Sequence, residues 1–182
     1  QRYPDVSVQL QVHSTRRTGW SVANGQIDLA IIGGQLPGDL ENLLQVIPYA
    51  TDELALVLPS KHPLSNKKEL LKEDLYKLNF VKLDSQSTTR KVVDKLLQDS
   101  GLDVQRLKIE MELNSLEAIK NAVQSGLGAS FLPVVSIERE LAAGTIHKAF
   151  VADLEVKREL KLITNPSRYT SRASEVFKKN IL

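Results

Sequence analysis

Three short polar stretches follow predicted strands and open predicted helices, and their residue types suit the binding of an anion. They read HSTRR at 13–17, LDSQSTTR at 83–90 and LNSLE at 113–117. Serine, threonine and asparagine often cap helices, and the unpaired backbone N–H groups of a first helical turn can bind a negatively charged group. Capping alone explains any one of these stretches. Three of them at one end of the strands favour a site for a small anion.

The second stretch carries cations where a helix alone would favour acids. Arg90 and Lys91 fall in the first turn of a helix whose apolar spacing runs on to a glycine stop at Gly101. The helix dipole puts partial positive charge at this end. A dianion needs charge-assisted donors besides backbone N–H groups, and Arg16 and Arg90 are candidates for that role. Either arginine could instead be solvated or paired with an acid.

The sequence contains no catalytic or metal-binding set that we recognise. His13, His62 and His147 lack the i, i+4 spacing of a zinc motif, and there is no cysteine. GASFL at 128–132 lacks the last glycine of a serine-hydrolase elbow. GLGAS at 126–130 follows a helix instead of a strand, so we interpret its glycines as helix C-caps. We therefore expect no enzyme, no metal and no cofactor.

The composition is that of an ordinary globular protein. Of the 182 residues, 42% are apolar and 25% are charged, and the net charge is +2. This charge is too small to predict nucleic-acid binding by the chain alone. The absence of cysteine suits a reducing compartment, and no stretch approaches the ~20 apolar residues of a membrane span. We expect no membrane partner.

Strand and helix patterns alternate along the chain and would position the polar stretches. Apolar residues at every second position of VSVQLQV predict a first strand, and QRYPD before it predicts the end of a helix stopped by Pro4, in a chain that begins inside a larger protein. The other predicted strands are DLAIIGG, LLQVIPYA, ELALVLP, NFVKL, LKIEMEL, GASFLP and RELKLIT.

Helix signals lie between these strands. Ser14 and Thr15 cap a first helix, and Asn114 with Glu117 forms a capping-box pattern. Another helix runs from Pro133 to Gly144, and a C-terminal amphipathic helix places Ala173, Val176, Phe177 and Ile181 on one face. This alternation predicts parallel βαβ units in two α/β subdomains, with ligands at the carboxyl ends of strands facing a crevice.

Several longer stretches together resemble one protein family. RYPDVSVQLQV, GQIDLAIIGG, ELALVLPSKHPL and ELNSLEAIKNAVQSGLGASFLP are similar, in this order and spacing, to the effector-binding domain of LysR-type transcriptional regulators. The resemblance covers essentially the whole chain. VHSTRR, NGQIDLAIIGG, LDSQST and LNSLEAIKNAVQSGLG further resemble the RuBisCO-operon and inorganic-carbon regulators of cyanobacteria and plastids.

The resemblance implies an α/β, periplasmic-binding-protein-like (type II) fold with two Rossmann-like subdomains joined by two crossover strands, ELALVLP and KRELKLITN. Subdomain I would comprise 1–53 and 159–182, and subdomain II 54–158. The winged helix-turn-helix and the first strand and loop of the regulatory domain are expected to be absent from this chain. DNA would then be bound only through that missing N-terminal domain.

The resemblance also implies a function. A small anionic metabolite, such as 2-phosphoglycolate, ribulose bisphosphate or 2-oxoglutarate, would bind between the subdomains and change promoter binding. The protein would be a cytoplasmic or stromal homodimer or homotetramer, pairing through the helices after Ser14 and Ser115. The alternative is a stand-alone solute-binding protein of a transport system. Carried over by position, the effector contacts are Thr15, Ile32, Gly33, Gln86, Ser87, Thr88, Asn114 and Ser115, to which charge adds Arg16 and Arg90.

Overall fold

The computed structural model describes residues 6–182 and divides into two compact units. The first unit is Gln1–Ala50 with Glu159–Leu182, and the second is Thr51–Arg158. The predicted subdomains, which differ from these units only at the first boundary, stay a prediction. The predicted helix end at QRYPD lies outside the described residues. Between residues 6 and 182, no helix combines the length and apolar character needed to cross a membrane.

The regular elements of the described residues alternate between strands and helices. The helices are α1 Thr15–Ala23, α2 Gly38–Glu41, α3 Thr88–Asp99, α4 Leu116–Gln124, α5 Glu138–Ala142 and α6 Arg172–Ile181. The strands are β1 Leu29–Ile32, β2 Gln45–Pro59, β3 Asn79–Leu83, β4 Lys108–Leu113, β5 Ser130–Pro133, β6 Ile146–Ala149 and β7 Lys157–Thr164. Short 3-10 helices span Pro63–Asn66, Lys72–Lys77, Val104–Arg106 and Val134–Ser136.

In the first unit, α1 begins as the sequence predicts. The Ser14 hydroxyl accepts a hydrogen bond from the backbone N–H of Arg17 at 3.5 Å. Gly19 lets α1 approach α2, since a Cβ there would lie 2.8 Å from the Leu40 side chain. β1 pairs antiparallel with β7. The parallel pairing predicted for this part of the chain is therefore wrong for β1.

The strand predicted at residues 6–12 is not formed. Residues 6–14 have no regular secondary structure. The side chains of Val8, Leu10 and Val12 are 72%, 89% and 85% exposed. Alternation shows which side of a strand could be buried, but a strand also needs a neighbour to pair its N–H and C=O groups. None of the strands described between residues 6 and 182 pairs with this segment.

Another strand prediction needs correction, whereas the predicted C-terminal helix is present. LLQVIPYA and ELALVLP, predicted as two strands, form one strand, β2, whose extended backbone continues through Thr51 and Asp52 between them. The predicted C-terminal helix is formed as α6, in which Val176 and Ile181 are half-buried and Ala173 is exposed. Phe177 is 45% exposed, and Ser174 is the buried residue of this helix. An amphipathic pattern gives the orientation of a face without giving its partner.

The strands of the second unit form a continuous layer. β2 pairs antiparallel with β5 and with β6, a strand that the sequence analysis missed. β5 is joined to β3 through Ala129, whose carbonyl accepts from the N–H of Val81 and whose N–H donates to the carbonyl of Asn79, both at 2.8 Å. β3 pairs with β4 in parallel. The predicted parallel pairing is thus present in this unit, between β3 and β4.

Helices cover both faces of β3, because neighbouring side chains of a strand point to opposite sides. Phe80 belongs to one buried cluster with Leu97 of α3. The next residue, Val81, belongs to another cluster with Ile119 of α4. β3 is therefore buried on both sides, and its ends are held in place by α3 and α4.

The capping box predicted for α4 is wrong. Ser115 is the N-cap residue, and no side chain caps the helix there. The Glu117 carboxylate instead binds the buried Lys120 ammonium at 2.8 Å, and Glu140 binds the same ammonium at 2.9 Å. The hydrogen bonds that Lys120 donates to Glu117 and then to Glu140 raise its pKa. A buried ammonium must be paired with acceptors. Pairing Glu117 with Lys120 therefore stabilises the protein more than a capping hydrogen bond from the helix N-terminus to Glu117 would.

The two glycines of GLG have different roles. Gly126 has a φ of +84°, which suits the helix C-cap predicted for it. A Cβ on Gly128 would lie 2.6 Å from the carbonyl oxygen of Asn79 in β3. Gly128 is therefore required by the close approach of the chain to β3, and its interpretation as a cap is wrong.

We predict that Gly128→Ala lowers the free energy of unfolding by about 1–3 kcal/mol, because the new methyl group would collide with a backbone oxygen that cannot rotate away. Urea denaturation would measure the change. Gly38→Ala is the matched control, since no atom lies within 4 Å of a Cβ at Gly38. Equal stability of the two variants would contradict the argument.

A second prediction concerns Asp74, which is 4% exposed. Its carboxylate accepts from Lys77 at 2.7 Å, from the N–H of Leu71 at 3.1 Å and from Lys67 at 3.3 Å. The bond from Lys77, followed by that from Leu71, lowers the pKa of Asp74 to about 2 from 3.8. A lowered folded-state pKa stabilises the protein above the unfolded value and stops doing so as the pH falls through the folded value.

Asp74→Asn should therefore destabilise the protein at pH 7 by about 2 kcal/mol. The difference from the wild type should shrink as the pH falls from about 4 towards 2. Denaturant titrations across this range would measure it, with the exposed neighbour Glu73→Gln as control. A difference that stays constant down to pH 2 would show that the carboxylate is not the stabilising group.

Candidate functional site

Two of the three polar stretches meet at one end of the sheet in the second unit. β3 and β4 run parallel, with Leu83 opposite Leu113, so both strands end at the same edge. The N–H of Asp84 donates to the carbonyl of Leu113 at 2.9 Å and joins the two turns. The structure thus brings Gln86–Thr88, at the start of α3, next to Asn114 and Ser115, at the start of α4.

The first of these turns is held in shape by Asp84. Its Oδ1 accepts from the N–H of Gln86 at 2.9 Å, and its carbonyl accepts from the N–H of Ser87 at 3.0 Å. Ser87 is the N-cap of α3, since its hydroxyl accepts from the N–H of Arg90 at 3.4 Å. The side chains of Gln86, Asn114 and Ser115 are exposed, and those of Ser87 and Thr88 are half-buried.

Arg90 is largely buried and paired with acids. Its side chain is 14% exposed. Nη1 donates to Glu112 Oε1 at 2.5 Å and to the carbonyl of Leu83 at 3.0 Å, and Nε donates to Asp94 Oδ2 at 3.4 Å. Burial acts to lower the pKa of Arg90, but the hydrogen bond and charge of Glu112, together with Asp94, raise it above its ordinary value. The pairing alternative left open by the sequence is the one observed.

A small cavity lies beside Arg90, and a second cation lines it. Lys82 is 7% exposed, and its ammonium binds Asp94 Oδ1 at 2.6 Å. Sequence reasoning missed Lys82 and Asp94. The available signals were a lysine inside the apolar strand NFVKL and the i, i+4 spacing of Arg90 and Asp94. The cavity is lined by Phe80, Lys82, Leu83, Thr89, Arg90, Val93, Asp94 and Phe131.

A third cation reaches the same helical turn from β7. Arg158 donates through Nε and Nη2 to Asp52 Oδ2, at 2.9 and 2.6 Å. Its Nη1 donates to the hydroxyl of Thr89 at 2.9 Å. Asp52 is 7% exposed, so the pair is shielded from water. Sequence reasoning also missed this arrangement, because the two partners are 106 residues apart.

The remaining predicted contacts lie in the first unit. Thr15 is the first residue of α1 and is 7% exposed, whereas Arg16 is exposed. Ile32 is 4% exposed and belongs to the core of this unit. Gly33 follows it and is half-buried. Their role at an effector site stays a prediction.

The chemistry of the second-unit cluster is that of binding. Hydroxyls, two side-chain amides, backbone N–H groups and three cations lie at or beside the first turn of α3, and these groups recognise carboxylates and phosphates. Among residues 6–182, no group of three histidine, aspartate or glutamate side chains is placed to hold a metal ion.

Comparison with known proteins places the chain in a family. The model of the LysR substrate binding domain matches residues 1–182. A probable RuBisCO transcriptional regulator of Synechocystis is 60% identical over 182 residues, which are all of this chain and 53% of that protein. The corresponding protein of Porphyra purpurea is also 60% identical, with 57% of its length covered. The chain thus spans little more than half the length of these relatives.

Solved structures share the fold. The Synechocystis CcmR regulatory domain in complex with 2-PG has a TM-score of 0.84 at 24% identity, covering 99% of this chain and 84% of that one. The effector binding domain of QuiR in complex with shikimate has a TM-score of 0.81 at 21% identity, covering 100% and 83%. The predicted periplasmic-binding-protein-like α/β fold is confirmed, and so is the resemblance to transcriptional regulators, which are not enzymes. The chain belongs to the LysR substrate-binding domain family.

Proposed function

We propose that this chain is the metabolite-sensing domain of a LysR-type regulator of RuBisCO and carbon-assimilation genes. It binds a small anionic effector at the first turn of α3 and the neighbouring start of α4. The effector is 2-phosphoglycolate, ribulose bisphosphate or 2-oxoglutarate. No cofactor takes part.

One observation carries the proposal. The parallel pairing of β3 and β4 places the donors of Gln86–Thr88 beside Asn114 and Ser115, and Arg90 lies in the same first turn of α3. An anion at this edge can accept from backbone N–H groups, from hydroxyls and from a cation at the same time. The second unit thus contains a set of donors suited to a carboxylate or a phosphate.

The relatives support the choice of function and effector. Proteins 60% identical to this chain are named probable RuBisCO transcriptional regulators, which favours a regulator over a stand-alone solute-binding protein of a transport system. A domain with the same fold was solved with 2-PG. A small phosphorylated acid fits the donors and cations of the second unit.

Thr15, Arg16, Ile32 and Gly33 of the first unit also contact the effector. The domain forms a homodimer or homotetramer through α1 and α4 and acts on DNA through the DNA-binding domain of the family, in the cytoplasm or the plastid stroma. The effector acts by binding one conformation more tightly than another, since a ligand with equal affinity for both would shift nothing.

A third prediction concerns the binding of the effector. At about a hundred times its dissociation constant, 2-phosphoglycolate should raise the melting temperature of the 182-residue chain by roughly 5–10 °C, because it stabilises only the folded state. Thermal-shift assays with the three metabolites would measure this, and glycolate, which lacks the phosphate, is the control. No shift with any of the three at several millimolar would refute the proposed effectors.

A fourth prediction concerns the turn before α3. Gln86→Ala should weaken effector binding about tenfold without lowering stability, because this exposed side chain is available to the ligand and contributes no packing. Isothermal titration calorimetry would measure the affinity. Gln98→Ala, an exposed glutamine at the other end of α3, should bind as the wild type does. Identical affinities of both variants would remove Gln86 from the site.

A further inference from the structure

The charges around the small cavity cancel within the second unit. Lys82 and Arg90 supply two positive charges, and Asp94 and Glu112 supply two negative ones. Asp94 accepts from both cations, one with each carboxylate oxygen, while Glu112 binds Arg90 alone. An anion that arrives at Arg90 therefore meets a cation that is already neutralised.

The two acids differ in how easily they can leave. Asp94 lies on α3 one turn after Arg90, is 24% exposed, and is the partner of a lysine that is only 7% exposed. Moving it would leave a buried ammonium unpaired, which costs several kcal/mol. Glu112 lies on β4, and its side chain is 43% exposed. It can rotate into water and regain its hydration.

We propose that Glu112 is an internal competitor for the effector, an inference that rests on the proposed function. Its carboxylate occupies Arg90 until an anionic ligand displaces it. The exchange leaves Lys82 paired with Asp94 and gives Arg90 a new partner. The competitor keeps the arginine paired when no ligand is present. The apparent affinity is then the intrinsic affinity multiplied by the fraction of molecules in which Arg90 is free of Glu112.

The competition also selects for ligand charge. A neutral solute gains nothing at Arg90, because Glu112 already satisfies the guanidinium. A phosphate dianion brings more charge and more acceptor oxygens than the carboxylate that it replaces, so the exchange favours it. Glu112 is thus a specificity-determining residue of the site, outside the set of residues that contact the ligand.

The test is calorimetric titration of 2-phosphoglycolate into the 182-residue chain. Glu112→Gln should bind about three- to tenfold more tightly than the wild type, in line with the modest strength of a partly exposed ion pair. Glu110→Gln removes one negative charge from an exposed residue of the same strand and should leave the affinity unchanged. Combining Glu112→Gln with Arg90→Ala should abolish the gain, since the competitor then has no target.

The outcomes separate this inference from the proposed function. If the wild type binds and Glu112→Gln binds no more tightly, Glu112 merely holds Arg90 in place and the competition is refuted. If Glu110→Gln gains as much as Glu112→Gln, the effect is general charge and the inference also fails. If neither the wild type nor Glu112→Gln binds, both the proposed function and the inference are refuted.

Discussion

The parallel pairing of β3 with β4 is the constraint on which the arrangement of the second unit depends. Parallel strands must be joined by a crossover, and here α3 provides it. Because both strands point the same way, the helices that follow them, α3 and α4, begin at the same edge. An antiparallel pair would send the two polar turns to opposite edges. Gly128 supports the arrangement by letting the chain approach the backbone of β3.

The cations beside this edge are paired with carboxylates, and burying these pairs costs desolvation free energy. Lys82, Arg90 and Arg158 are each largely buried, and each is bound by a carboxylate. Buried ion pairs contribute little net stability, since removing the charges from water offsets most of their attraction. Their effect is to fix positions. Arg158 joins Asp52 of β2 to the first turn of α3, which we propose as part of the effector site, and all three residues of this network lie in the second unit.

Local signals predicted local structure well. The hydroxyl-rich run LDSQST predicted the cap and start of α3, and NFVKL predicted β3, because both depend on residues close in sequence. Period-two alternation at residues 6–12 predicted a strand that is not formed, since alternation says nothing about whether a neighbouring strand is present. LLQVIPYA and ELALVLP were predicted as two strands, but the backbone stays extended through the polar residues Thr51 and Asp52 between them.

The candidate site was predicted only in its polar turns. Gln86–Thr88 and Asn114–Ser115 could be found because helix starts have a sequence signature. The acids that bind the cations could not, since Glu112 lies 22 residues from Arg90 and Asp52 lies 106 residues from Arg158. Only the i, i+4 pair of Arg90 and Asp94 was visible in the sequence. Which acid meets which cation follows from the sheet, and the sheet depends on pairings that composition does not encode.

The most direct test of the central claim is a crystal structure of this domain with 2-phosphoglycolate. The account predicts an anionic group of the ligand within hydrogen-bonding distance of donors in Gln86–Thr88 and of the Arg90 guanidinium, with Asn114 or Ser115 beside it. A ligand bound elsewhere in the domain, with the first turn of α3 untouched, would contradict it.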